Sequence, residues 1–165
     1  AFQKMNDELK TNGGPHVDEK AVQTVKKWIA DGHEVRVVSN SDASKLKAFF
    51  DLHGLHEGPG FGFRGGARKF ELSTTPRQLT LGEMNVFVDR PRYREVLTAE
   101  RPDVVVGDGL SLDLATPLAL SNEGLLAPDL KLVLKKRRYT PAFSVRTAAL
   151  DRRFVVATEW ADLIV

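Results

Sequence analysis

Cysteine is absent from this 165-residue chain, which excludes disulfides and thiolate metal sites. No apolar run approaches the roughly 20 residues that span a bilayer, so no membrane partner is expected. Neither sign of charge dominates: 24 Lys and Arg face 22 Asp and Glu, for a formal net charge of +2. The basic residues are scattered, and the densest run, Lys135-Lys136-Arg137-Arg138, reads as a solvated strand end. No nucleic-acid partner is expected on that basis. Repeats and low-complexity segments are lacking too. The start, Ala1-Phe2-Gln3-Lys4, does not have the form of a signal peptide, so a cytoplasmic protein is the expectation. Glycines crowd around Phe61, but Gly-Lys-Ser/Thr is missing, which excludes a P-loop. The four histidines, His16, His33, His53 and His56, form no close ligand cluster. His53 and His56 straddle Gly54 at a helix end and read as exposed polar positions.

What is present is an ordinary globular mixture, 42% hydrophobic and 28% charged, of a length that suits one domain over residues 1–165. Residues 1–17 read as a polar connector, turn-rich at Asn12-Gly13-Gly14-Pro15. From Val17 the spacing predicts a helix, with Val22, Val25 and Ile29 on one face, Asp18 able to cap it and Gly32 able to end it. Glu34 to Ser39 reads as a strand, and Leu46, Phe49 and Phe50 mark a helix closed by Gly54. A loop and a hairpin are expected over about 60–72, then a strand at Val86–Val88 and a helix carrying Tyr93, Val96 and Leu97. Val104-Val105-Val106 is a continuous apolar strand of the doubly buried, parallel type. Helical spacing returns after Ser111, and Leu132–Leu134, Phe154–Ala157 and Leu163–Val165 are later strands. Strands alternating with helices predict an α/β fold with a largely parallel central sheet. Sites in such sheets form beyond the C-terminal ends of strands, here just after Val38, near Arg90 and just after Val106.

The segment richest in chemistry is Val104-Val105-Val106-Gly107-Asp108-Gly109-Leu110-Ser111-Leu112-Asp113. An apolar strand delivers Gly-Asp, the glycine allowing a tight turn, and a second aspartate follows five residues on as a helix begins. Two carboxylates on one short loop suit a hard cation such as Mg²⁺. The plainer alternative is that Asp108 starts a turn and Asp113 sits favourably in a first helical turn.

Gly107-Asp108 with Asp113 resembles the fourth motif of the haloacid dehalogenase (HAD) superfamily, an acidic pair that helps to hold Mg²⁺. Val35-Arg36-Val37-Val38-Ser39-Asn40 is similar to the second motif, and the resemblance implies that Ser39 and Asn40 bind phosphate. Ser39 is otherwise a turn or helix cap. Arg90-Pro91-Arg92-Tyr93 is similar to the third, basic motif, with arginine in place of the family's lysine. Lys69, in Gly65-Gly66-Ala67-Arg68-Lys69-Phe70, competes for that role; Arg90 is preferred on position. The resemblance covers about residues 17 to 122. It implies a Rossmann-like three-layer domain and Mg²⁺-assisted hydrolysis of a small phosphorylated substrate. No separate cap domain is evident.

The family's first motif, an apolar strand ending in Asp-x-Asp, has no counterpart: Asp-x-Asp occurs nowhere in the sequence. Asp89 follows an apolar run, but Arg90-Pro91 denies it the second carboxylate. In the family that strand lies between those carrying the second and fourth motifs, so its absence implies unpaired backbone there. An upstream segment, another chain, or a different segment in a catalytically dead relative could fill the slot; the other motifs favour the first. The expected activity is therefore a HAD-like phosphohydrolase. The alternatives are a catalytically dead binding or regulatory protein of the same fold, and a dehalogenase-like hydrolase, against which the acidic pair argues.

Overall fold

A computed structural model describes residues 18–163 and 165. The expected connector, His16, the helix start at Val17 and Ile164 lie outside the described residues. Helix α1 (Glu19–Ala30) begins where expected, because the Asp18 carboxylate accepts the amides of Lys20 and Ala21 at 3.1 and 3.2 Å. Strand β1 (Val35–Val38) and helix α2 (Ala43–Leu52) follow. Strand β2 (Phe61–Arg64) lies parallel to β1, with Val35 opposite Phe61 and Val38 opposite Arg64.

This corrects the expectation of a hairpin over 60–72. Phe61 and Phe63 alternate onto one face and pack against Phe50 of α2, which turns the segment into a helix-covered parallel strand. The hairpin comes later, from β3 (Gln78–Leu81) and β4 (Met84–Phe87). It turns through Gly82-Glu83, with Gly82 at φ +60, the left-handed backbone that two-residue hairpin turns require.

Helix α3 (Pro91–Glu100) leads to β5 (Val104–Gly107). A wide turn at Leu110–Leu114 continues into α4 (Ala115–Asn122). Then come β6 (Lys131–Lys135), α5 (Ala142–Ala148), which the periodicity did not foreshadow, and β7 (Phe154–Ala157). Strands β5, β6 and β7 form an all-parallel sheet in that order. Leu163 and Val165 are not in a strand. A single 3₁₀ turn, Trp160–Asp162, instead folds Leu163 onto Val133 and Ala157.

The fold is thus mixed α/β, and side-chain parity shows how its sheets are layered. Val35 and Val37 of β1 pack with α1 and α2, whereas Val38 points into the opposite core of Tyr93, Leu97, Leu114 and Leu118. On β5, Val104 and Val106 pack, as does Trp28 of α1, against the cluster of Val133, Ala157 and Leu163, and Val105 joins the same opposite core. Residues of α1 thus adjoin the clusters that hold one side of β1 and one side of β5, and residues of α3 and α4 adjoin the core on the other side. Among the described residues, β1 is hydrogen-bonded along one edge only, to β2, and β5 along one edge only, to β6. No helix among them is long and apolar enough to cross a membrane.

Candidate functional site

The apolar run of β5 carries the chain to Gly107 and Asp108, and the wide turn then doubles back. Asp113 N–H donates to the Gly109 carbonyl at 2.9 Å, and Gly109 N–H donates to Asp113 Oδ2 at 3.0 Å. Gly107 has no positive φ. Its reason is proximity: a Cβ there would lie 2.4 Å from Asp113 Cβ, so only glycine lets the strand end and Asp113 pack together. Asp113 is buried, and its carbonyl accepts the buried Tyr93 hydroxyl at 2.7 Å.

Lys69 reaches this carboxylate from the loop that follows β2. Its ammonium lies 2.9 Å from Asp113 Oδ1, and its own amide donates to Asn40 Oδ1 at 2.8 Å. The preceding Arg68 adopts φ +45, a region uncommon for a non-glycine residue. Gly65 lets the 65–69 loop lie against the entry to α2, since a Cβ there would come within 2.5 Å of the Ala43 nitrogen.

The two candidates for the basic role are brought together rather than set apart. Arg90 is buried beneath the loop, and its guanidinium donates to the Lys69 carbonyl at 2.6 Å. Burial pushes its pKa below the ordinary arginine value, while the nearby Asp113 charge opposes that. Ser39 is half-buried just past β1. Its hydroxyl oxygen accepts the Ser41 amide at 3.1 Å and its carbonyl accepts the Ala67 amide at 2.9 Å, so it anchors the same loop. Asp89 lies elsewhere, accepting Arg77's amide at 2.6 Å and its guanidinium at 2.8 Å.

Lys69, Asp108, Asp113, Lys135, Arg137 and Trp160 line a cavity of about 220 Å³ floored by Val106 and Gly107. Ser39 is outside this lining, and Asn40 touches it only through Lys69. A larger cavity of about 490 Å³ lies among Pro128 and residues 150–153, but its Arg153 is already engaged by Asp151, Ser121 and Asn122. The smaller cavity is the one that gathers acids and bases at strand ends.

The basic run is a solvated strand end only in part: Lys136 and Arg138 are exposed, but Lys135 is buried and Arg137 half-buried. Lys135 is 5% exposed, donates to the carbonyls of Lys136 and Thr158, and lies 5.4 Å from the Trp160 ring centroid. Desolvation, then the Arg137 charge, lower its pKa. Arg137 lies 5.6 Å from the same ring and 3.7 Å from Asp108 Oδ2. Tyr139 donates its hydroxyl to Asp108 at 2.7 Å; burial and that carboxylate push the phenol's pKa well up. A signal for Lys135 was available: it ends an apolar strand of a parallel sheet, where sites form.

Asp108 and Asp113 offer hard oxygen donors on one wall, which fits the one or two carboxylates that Mg²⁺ typically takes from protein. Among the described residues, no cluster of three or more His, Cys, Asp or Glu could hold a metal ion. No protein-family model matches this chain, and no curated protein and no solved structure matches it.

Proposed function

We propose that this chain forms most of a HAD-like phosphoryl-transfer site for a small phosphorylated substrate. The observation that carries the reading is Lys69, whose amide is held by Asn40 after β1 and whose ammonium is held by Asp113 after β5. Three segments far apart in sequence thereby meet beyond two strand ends. In this reading Lys69 is the basic residue facing the phosphoryl group, and Arg90 is a positioning residue that fixes the Lys69 backbone from below. The Ser39 hydroxyl keeps its proton to donate to phosphate, since its oxygen is the acceptor toward Ser41. Asp108 and Asp113 would hold Mg²⁺, which when bound neutralises phosphate charge. Among the described residues β1 and β5 are each paired on one side, which would leave room for a strand bearing Asp-x-Asp.

Fixed charges aimed at a transferring phosphoryl group supply electrostatic stabilisation, and a nucleophile must be supplied within reach. For residues 1–165 alone, the lack of Asp-x-Asp favours a second reading, phosphate binding without turnover. The experiment is an aryl-phosphate assay with Mg²⁺ on this chain, and on a version with an Asp-x-Asp strand segment added upstream. The expected outcome is no turnover from the first and turnover with a trapped aspartyl-phosphate from the second. Undiminished activity of the extended protein after Lys69→Met and Asp108→Asn would overturn the proposal.

A further inference from the structure

The far wall of the cavity holds more positive charge than one phosphate needs. Lys69 is matched by Asp113 at 2.9 Å. Lys135 is different: it is 5% exposed, and its hydrogen bonds go to two backbone carbonyls, of Lys136 and Thr158; among the described residues no carboxylate lies within ion-pair distance, and Glu159, Asp18 and Asp108 act on it only at longer range. Among the described residues, the carboxylate contacts of its neighbour Arg137 are long, 3.5 Å to Asp18 Oδ2 and 3.7 Å to Asp108 Oδ2. The Arg137 Nε is buried without a hydrogen-bond partner.

Two like charges at the end of one strand repel, and burying an ammonium that no carboxylate contacts directly costs free energy. The fold nonetheless holds both near the Trp160 ring. Trp160 sits within 5.4 and 5.6 Å of the two cations, and its indole N–H donates to Asp18 Oδ2 at 2.8 Å. Asp18 is itself fixed as the cap of α1, so the ring is tied to the scaffold. Trp160 thus acts as a positioning residue that keeps Lys135 and Arg137 side by side through cation–π attraction. A costly, scaffolded pair of cations on a cavity wall is the arrangement expected for an anion site.

We propose that Lys135 and Arg137 bind a second anionic group of the substrate, a phosphate or carboxylate beside the phosphoryl group that faces Lys69. The inference rests on the phosphate reading given above and narrows its substrate class to compact molecules with two anionic groups. The cavity, at about 220 Å³, is smaller than the roughly 300–1,000 Å³ of sites for drug-sized ligands, which suits a small dianion rather than an extended one.

The test is calorimetric titration of the full chain, with Mg²⁺, using orthophosphate, pyrophosphate and phosphonoacetate as probes. Either two-headed probe is expected to bind about ten-fold or more tightly than orthophosphate, equivalent to about 1.4 kcal/mol. Which of the two wins tells a second phosphate from a carboxylate. Arg137→Met and Lys135→Met are expected to abolish the preference, the two-headed probes losing about ten-fold more affinity than orthophosphate does. Arg137→Lys and Lys135→Arg retain the charge and the fold, and are expected to keep part of the preference. Equal binding of all three probes by the wild type, or a preference unchanged in folded Arg137→Met protein, would overturn the inference and leave the phosphate reading standing. Binding of none of them would overturn both.

Discussion

The pair between Lys69 and Asp113 should be strongly coupled, because it is the only ion pair that ties the 65–69 loop to the β5 turn among the described residues. The two side chains are 16% and 11% exposed, at a separation of 2.9 Å. At an effective dielectric constant of about 20, Coulomb attraction at that distance is about 6 kcal/mol. Desolvation of both groups offsets most of it, so the net worth of the intact pair is small. Removing one partner is another matter, because the survivor stays buried without a counter-charge. Asp113→Asn keeps the shape, and its amide oxygen can still accept from Gly109, yet it leaves the Lys69 ammonium unmatched. The usual cost is about 3–5 kcal/mol, and residual exposure places this case near 3. That corresponds to a fall in Tm of about 6–12 °C for a domain of this length. Lys69→Met should lose a similar amount. The double variant leaves no buried charge unmatched and should lose no more than either single change, where additive losses would sum to about 6 kcal/mol, for a coupling energy of about 3 kcal/mol or more. Urea denaturation of the four proteins measures this directly. Strictly additive losses, with coupling below about 0.5 kcal/mol, would refute the claim that the two charges are matched across the sheets.

Gly107→Ala should destabilise by about 1–3 kcal/mol, because the new methyl would lie 2.4 Å from Asp113 Cβ and must displace it. Thermal melting checks the loss, and orthophosphate titration should show weakened binding as Lys69 loses its anchor. A third expectation concerns acid. Hydrogen bonds from Arg77 hold the Asp89 carboxyl below its ordinary 3.8, despite burial acting the other way. The unfolded chain therefore binds more protons between the folded pKa and about 3.8. The Asp89 contribution is fully present above that pH and is lost as pH falls through the folded pKa. Asp89→Asn should flatten the acid limb of stability against pH, measured by urea midpoints, and an unchanged limb would show the Arg77 contact to be immaterial.

Local physics made much of this protein legible from sequence. The apolar spacing of Val22, Val25 and Ile29 behind a capping Asp18, and the β-branched runs at Val35–Val38 and Val104–Val106, specify their elements without help from distant residues. The strand ends named Asn40, Asp108 and Asp113 as places to look, and Asp108 and Asp113 do share a cavity wall. Tertiary structure decided what spacing cannot encode. Phe61-Gly62-Phe63 has the alternation of any strand, and only the cover from Phe50 made it a parallel partner of β1 instead of half a hairpin. Lys69 and Arg90 looked like rivals because each is a basic residue near a turn; in space one donates to the other's carbonyl, a relation between residues 21 positions apart. Lys135 and Arg137 read as solvated because charge runs usually are. Lys135 is buried and Arg137 half-buried beside Trp160, a residue about 25 positions away in sequence that lies just past β7, the strand paired with β6. Sequence fixes the propensity of each segment through neighbouring residues, whereas the meaning of a charge depends on which distant groups remove its water.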